Sequence, residues 1–73
     1  ELMLDMDKNP LDIGDTVVYS DSGRGGSVHV GTIHAGVQEG FGRYAYRLYI
    51  KDRDTNRINR RYASQILKYK GVN

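Results

Sequence analysis

The chain has 73 residues, which is enough for one small domain with one small hydrophobic core. Its 38% of apolar residues, 27% of charged residues and net charge of +2 are typical of a globular chain and exclude the charge excess of a disordered one. It has no cysteine, which excludes disulfides and thiolate metal sites, and its apolar stretches are too short for a membrane span. We therefore expect a soluble, monomeric protein of the cytoplasm.

Residues 1–12 differ in character from the rest of the chain. They mix acidic with apolar side chains and end near Pro10, which follows an asparagine and breaks any helix begun before it. We interpret them as an acidic N-terminal arm that packs over the domain. The domain itself is expected at residues 13–70, followed by a tail at 71–73.

From Ile13 onward, short β-rich runs alternate with glycine, serine and aspartate, a pattern typical of an all-β domain. Thr16 to Ser20 is the first predicted strand, and the glycine-rich loop Asp21 to Ser27 follows it. Val28 to Ala35 is the second predicted strand. A glycine inside a strand often marks a bulge or a tight bend, so Gly31 predicts one or the other here.

Arg43 to Lys51 is the strongest predicted strand, because its residues alternate cleanly between an apolar set and a set that carries all of its charges. Alternation sends the two sets of side chains to opposite faces of a sheet. The set expected in the core consists of Tyr44, Tyr46, Leu48 and Ile50, with Tyr19 from the first strand. The set expected on the outside consists of Arg43, Ala45, Arg47, Tyr49 and Lys51.

The last third of the chain completes the predicted domain. Asp52 to Asn56 supplies turn-forming side chains, and a short, mostly exposed strand is expected around Arg57 to Arg60. Arg61 to Gln65 has the length of one 3₁₀ turn, and Ile66 to Lys70 is the fifth strand. The predicted fold class is all-β: a single five-stranded barrel with a 3₁₀ turn before the last strand and an N-terminal arm.

Three short motifs resemble those of a known group of small barrels. Residues 14–19 (GDTVVY) resemble the G-D-x-V-x-V opening of KOW-type barrels. Gly23-Arg24-Gly25 and Gly31-Thr32-Ile33 resemble the later basic-glycine and G-x-V elements, with the extra spacing placed in the first loop. With the strand count and order, these motifs make the chain similar to SH3-like barrels, the superfamily that includes KOW and Tudor modules. The resemblance implies this fold, and its members bind RNA, DNA, ribosomes, RNA polymerase, proline-rich peptides or methylated side chains.

Charge is unevenly distributed along the chain. Residues 1–21 carry six acids against Lys8, whereas residues 22–73 carry ten bases against three acids. Seven of the eleven bases are arginine, whose planar guanidinium suits phosphate recognition. Such a distribution favours a basic face that attracts polyanions, and a solvated surface with weak cross-strand ion pairs is the alternative interpretation.

Cations and an aromatic ring on one strand face are what phosphate contact combined with base stacking requires. We therefore predict a non-enzymatic, nucleic-acid-binding accessory module. The residues predicted to contact DNA or RNA are Arg24, Arg43, Arg47, Tyr49, Lys51, Arg57, Arg60 and Arg61.

Other functions are weighed against this one. The main alternative is a protein-binding adaptor that docks on a larger machine of transcription or translation, such as RNA polymerase or a ribosome, and a phage-encoded modulator of its host is one form of it. A further alternative is an aromatic site, in which tyrosines grouped with Phe41 form a groove for proline-rich peptides or a cage for a methylated cation. In a chain without tryptophan, however, tyrosine is also the main bulky core residue.

The sequence favours neither catalysis nor a bound cofactor. His29 and His34 are too few to hold a metal ion without carboxylates from elsewhere. The loop at residues 23–27 lacks the lysine of a nucleotide-binding P-loop and is followed by a strand. No serine lies in a nucleophile motif. We therefore expect no metal, no cofactor and no catalytic residue.

Overall fold

The computed structural model describes residues 3–20 and 26–69, apart from the side chain of Arg43. In these ranges the chain forms β-strands and two short 3₁₀ turns, and it has no α-helix. The strands are β1 (Thr16–Ser20), β2 (Val28–Gln38), β3 (Tyr46–Asp52), β4 (Ile58–Tyr62) and β5 (Leu67–Lys68). The predicted all-β class with five strands is confirmed. No helix within the described ranges has the length and apolar character needed to cross a membrane.

The five strands form one sheet in the order β4-β3-β2-β1-β5, and every neighbouring pair is antiparallel. The connection from β4 to β5 runs from one edge of the sheet to the other through the 3₁₀ turn Ala63–Gln65. No backbone ladder joins β4 to β5 in the described chain. The hydrogen-bonded sheet is therefore open.

A single hydrophobic core lies on one face of the sheet, which we call the inner face. Alternate residues of β1, β2 and β3 supply most of it, as the pleat of a strand requires. Burying an aliphatic side chain contributes about 1.5–3 kcal/mol, so a core of this size suits a domain of this length. Its members are Leu11, Val17, Tyr19, Ile33, Leu48, Ile50, Ala63 and Ile66.

The N-terminal segment is packed into the domain. Leu11 lies in the core, and its N–H donates to the carbonyl oxygen of Met3 at 2.8 Å. The buried Asp5 carboxylate accepts the N–H of Lys68 in β5 and the N–H of Asn9, each at 2.8 Å. Burial alone would raise the pKa of Asp5, but the N–H donors outweigh it and hold that pKa below its usual value. The predicted arm is thus tied to an edge strand of the sheet.

β3 begins at Tyr46 and not at the predicted Arg43. The 3₁₀ turn Gly42–Tyr44 occupies the start of the predicted strand. Tyr44 is consequently 53% exposed, so its predicted position in the core is wrong. Tyr19 is buried and Tyr46 packs against the core, as predicted.

Gly31 does not form the predicted bulge. It stays in register with both neighbouring strands, and the register shifts instead at His34. Gly31 permits a close approach of backbones, because a Cβ atom there would lie 2.6 Å from the carbonyl oxygen of Lys51. Beyond the bulge β2 continues to Gln38, past its predicted end at Ala35.

Candidate functional site

One surface of β3 and β4 faces away from the core and carries several of the residues predicted to bind. Leu48 and Ile50 of β3 are fully buried, so alternation turns the residues between and beside them outward. We call this surface the outer face. It consists of three cross-strand pairs: Arg47 with Tyr62, Tyr49 with Arg60, and Lys51 with Ile58.

Tyr49 lies at the middle of the outer face with basic residues around it. Arg60 is directly opposite on β4, and Arg47 and Lys51 are two positions away along β3. Side chains directly opposite one another in an antiparallel pair have Cβ atoms about 4.5–5.5 Å apart, which is contact distance for residues of this length. The ring of Tyr49 thus offers a stacking surface with cations close by.

Three cations on or beside the outer face have no ion pair with any residue that the structure describes. Lys51, Arg60 and Arg57, which lies in the turn before β4, are all exposed. Within residues 3–20 and 26–69, no ion pair joins any of them to a carboxylate. Their charges are therefore available to an external anion.

Arg47 is held in place by its neighbours. Its Nη2 lies 3.0 Å from Glu39 Oε1 and donates to the Tyr62 hydroxyl at 3.4 Å. Its guanidinium lies over the Tyr62 ring, 5.7 Å from the ring centroid. The hydrogen bond to Tyr62 and, more weakly, the charge of Glu39 raise the pKa of Arg47 above its usual value, so the group stays charged. Arg47 is a positioned cation whose charge Glu39 partly neutralises.

Arg61 does not share the outer face, so the arginines predicted to contact nucleic acid do not all lie on one surface. It lies opposite Leu48 and therefore points to the inner side of β4. Its guanidinium lies over the ring of Tyr19, 5.3 Å from the centroid, and its Nε donates to the carbonyl oxygen of Ser20 at 3.1 Å. Arg61 thus connects β4 to β1 across the open side of the sheet.

Two of the predicted contact residues have no described position. Arg24 lies outside the described residues, and so does the side chain of Arg43. The predicted Gly23-Arg24-Gly25 element lies outside them as well. The structure therefore brings Arg47, Tyr49, Lys51 and Arg60 onto one surface, with Arg57 beside them.

A buried polar network under the sheet was missed by sequence reasoning. Asp52 is 2% exposed, and its Oδ2 accepts the Tyr19 hydroxyl at 2.9 Å and lies 3.2 Å from His29 Nδ1. Asn59 Nδ2 donates to the Tyr19 oxygen at 3.0 Å. Hydrogen bonds from the N–H of Thr55 and from Tyr19 lower the pKa of Asp52 and keep it ionised.

This network joins β1, β2, β3 and β4 and so stabilises the fold. Burial is the main cause of the raised pKa of the Tyr19 hydroxyl. The hydroxyl therefore stays protonated and donates its hydrogen bond to Asp52. One signal was available in the sequence. The alternation that places Leu48 and Ile50 inward also places residue 52 inward, although aspartate there resembles an ordinary turn residue.

The two histidines occupy different surroundings. His29 stacks on Tyr19, with ring centroids 5.5 Å apart, and contacts Asp52. His34 is exposed at the register shift of β2. Among the described residues, no three histidine, aspartate or glutamate side chains gather as metal ligands would.

We compared the chain with protein-family models, with curated proteins and with solved structures. No family model, no curated protein and no solved structure matches it. Its function is therefore inferred from the geometry and charge of the outer face.

Proposed function

We propose that the protein is a non-enzymatic module that binds single-stranded nucleic acid, DNA or RNA, through the outer face. The observation that carries this proposal is the position of Tyr49, with Arg60 opposite it and Lys51 beside it. Neither cation is paired with a carboxylate in the described chain. Phosphates bind to such cations, and bases stack on such a ring.

A strand with unpaired bases fits this surface better than a duplex does. Stacking on Tyr49 requires a base whose face is not covered by its own helix. Stacking contributes about 1–3 kcal/mol per base and tolerates all bases, since each has a π-face. We therefore expect weak and largely sequence-tolerant binding, which suits an accessory module of a larger machine.

We also propose that the open sheet belongs to a small barrel of the SH3-like, KOW-related kind. Two side-chain contacts between β4 and β1 support this. Arg61 Nε donates to the Ser20 carbonyl oxygen at 3.1 Å, and Asn59 donates to the Tyr19 hydroxyl at 3.0 Å. These contacts link β4 to β1 without backbone pairing, and the motif at residues 14–19 supports the same fold.

Fluorescence anisotropy with a labelled single-stranded oligonucleotide at several salt concentrations tests the proposed function. Lys51, Arg57 and Arg60, which have no ion pair in the described chain, predict about three neutralised phosphates, so log affinity should fall with log salt with a slope of about −2. Binding that does not respond to salt would contradict phosphate contact. Absence of binding at low salt would overturn the proposal.

A pair of matched tyrosine variants tests the stacking part. Tyr49→Leu should weaken binding by roughly 5- to 100-fold, because the aromatic surface is lost. Tyr69→Leu removes another partly exposed tyrosine, which lies beyond β5, and should leave affinity unchanged. Equal affinity of both variants would rule out stacking on Tyr49.

A protein-docking role is the second candidate, and one observation favours it. Phe41 is 94% exposed in the connection between β2 and β3. Aromatic residues of this kind are enriched at the centres of protein interfaces. In this alternative Phe41→Ser abolishes capture of a transcription or translation protein from nuclease-treated lysate, whereas Tyr49→Leu does not.

A further inference from the structure

A recess of about 240 Å³ opens at the sheet edge formed by β4, where Arg60 and Arg61, from the two faces of that strand, meet the 3₁₀ turn Ala63–Gln65. Three of its five described lining residues are arginines and none of the five is a carboxylate, although Glu39 pairs with Arg47 from outside the lining. The lining residues are Arg47, Arg60, Arg61, Tyr62 and Gln65. The recess therefore combines concentrated positive charge with a partly enclosed shape.

The hydrogen-bond donors of this recess are only partly used by the protein. Arg61 donates its Nε to Ser20 and its Nη1 to the carbonyl oxygen of Arg60, which leaves three of its five N–H groups. The guanidinium of Arg60 makes no hydrogen bond or ion pair with another described residue. Gln65 accepts the N–H of Tyr62 through Oε1 at 3.1 Å, so its amide NH₂ remains a donor.

We infer that this recess binds the terminal phosphate of a nucleic-acid strand, an inference that rests on the proposed function. A terminal phosphate monoester carries a charge of about −1.5 to −2 and three strongly accepting oxygens. An internal phosphodiester carries a single charge and fewer free oxygens. Three guanidinium groups, whose planar donors suit bidentate contacts to phosphate, match the monoester better.

The position of the recess supports the same ligand. Tyr62 is the last residue of β4 and forms the end of the outer face, where it pairs with Arg47. A strand that lies along the outer face from Lys51 past Tyr49 reaches the recess at its terminus. The 5′ and 3′ phosphates share this chemistry, so the experiment has to distinguish them.

The test uses three labelled oligonucleotides of one sequence, with a 5′ phosphate, a 3′ phosphate or no terminal phosphate. We expect one phosphorylated form to bind about tenfold more tightly than the unphosphorylated form, as a set of charge-assisted hydrogen bonds allows. Lys51→Gln, on the outer face away from the recess, should weaken all three complexes equally. Arg60→Gln should weaken them and also remove the preference for the phosphorylated end.

The outcomes separate this inference from the proposed function. Equal affinity of the three oligonucleotides for the wild-type protein overturns the inference and leaves the proposed function standing. So does a preference that persists in Arg60→Gln, provided that thermal melting shows the variant to be folded. A phosphoserine peptide that binds more tightly than the phosphorylated oligonucleotides overturns the assignment to a nucleic-acid terminus.

If no oligonucleotide binds, the proposed function fails, and a second measurement examines the recess. Inorganic phosphate is then titrated while the Nε–Hε NMR signals of Arg60 and Arg61 are followed. Shifts of these signals assign the recess to an anion from another source and so overturn the nucleic-acid ligand. Absence of any shift overturns the recess as an anion site.

Discussion

Arg60 and Arg61 are adjacent in the sequence and lie on opposite faces of β4. Arg60 is paired with Tyr49 on the outer face, whereas the guanidinium of Arg61 lies over Tyr19 on the inner side and donates to Ser20. Successive side chains of a strand point to opposite faces, so two like residues acquire different roles. Arg60 is exposed on the outer face, whereas Arg61 also links β4 to β1 through Tyr19 and Ser20.

This arrangement predicts different consequences for stability. Arg61→Gln should lower the free energy of unfolding by about 1–2 kcal/mol, because it loses the contact with Tyr19 and the hydrogen bond to Ser20. Arg60→Gln should change it by less than about 0.5 kcal/mol, as is usual for an exposed residue. Urea unfolding followed by circular dichroism measures both. Equal losses in the two variants would contradict their assignment to opposite faces.

The buried network around Asp52 predicts a cost for removing a single hydroxyl group. Tyr19→Phe leaves the Asp52 carboxylate and the Asn59 amide without their shared partner, so the free energy of unfolding should fall by about 1–3 kcal/mol. Tyr69→Phe makes the same chemical change at a partly exposed position and is the control. If both variants unfold at the wild-type urea concentration, the Tyr19 hydroxyl contributes nothing to stability.

Stability should fall in acid because two carboxylates have lowered pKa values. Burial raises the pKa of Asp5, but the N–H groups that donate to its carboxylate lower that pKa by more. The pKa of Asp52 is lowered mainly by the hydrogen bond from the N–H of Thr55 and next by the one from the Tyr19 hydroxyl. In the folded protein both pKa values lie below the ordinary value of 3.8. The two ionised carboxylates therefore stabilise the fold above pH 3.8, and this stabilisation is lost as the pH falls through their folded pKa values.

The measurement is the urea midpoint between about pH 7 and about pH 2. Asp5→Asn should be less stable at neutral pH and should lose less on acidification than the wild type does. Asp7→Asn changes an exposed carboxylate two positions away and should follow the wild-type curve. An Asp5→Asn curve parallel to that of the wild type would show that Asp5 does not contribute to the acid response.

Gly31 should tolerate substitution less well than the other glycine of β2, Gly36. A Cβ atom at Gly31 would lie 2.6 Å from the backbone oxygen of Lys51 and 2.7 Å from a methyl carbon of Ile50, so Gly31→Ala should cost about 1–3 kcal/mol. At Gly36 the nearest atoms, at 3.0 Å, are the ends of the flexible side chains of Leu48 and Met3, so Gly36→Ala should cost less. Urea unfolding compares the two, and the reverse order would contradict the close approach.

Much of the fold follows from patterns that act over a few residues. The alternation in β1 and β3 correctly places Val17, Tyr19, Leu48 and Ile50 in the core. Tyr44 continues the same alternation in the sequence, but in the structure it belongs to the 3₁₀ turn Gly42–Tyr44 and not to β3. The alternation pattern gives no indication of that turn. The bulge of β2 depends on how that strand pairs with β3, which sequence periodicity does not encode.

The candidate site was predicted only in part, because sequence patterns show which residues share a strand face and do not show how strands pair. Alternation within β3 places Arg47, Tyr49 and Lys51 on one face without knowledge of any other strand. The separation of Arg60 from Arg61 depends on the register between β4 and β3. The recess and the polar network bring together residues far apart in the chain, and only the folded structure shows that they meet.

Binding by the outer face is tested most directly by two variants that make the same change in different places. Lys51 is exposed on the outer face, and Lys8 is exposed in the N-terminal segment, which contributes no residue to that face. Each lysine-to-glutamine substitution removes one positive charge, so both lower the net charge of the protein equally.

The dissociation constant for a single-stranded oligonucleotide is measured by anisotropy at one low salt concentration. Lys51→Gln should weaken binding by about 3- to 10-fold through the loss of one phosphate contact, and Lys8→Gln should match the wild type. If both variants lose affinity equally, or if neither does, the outer face is not the nucleic-acid-binding surface.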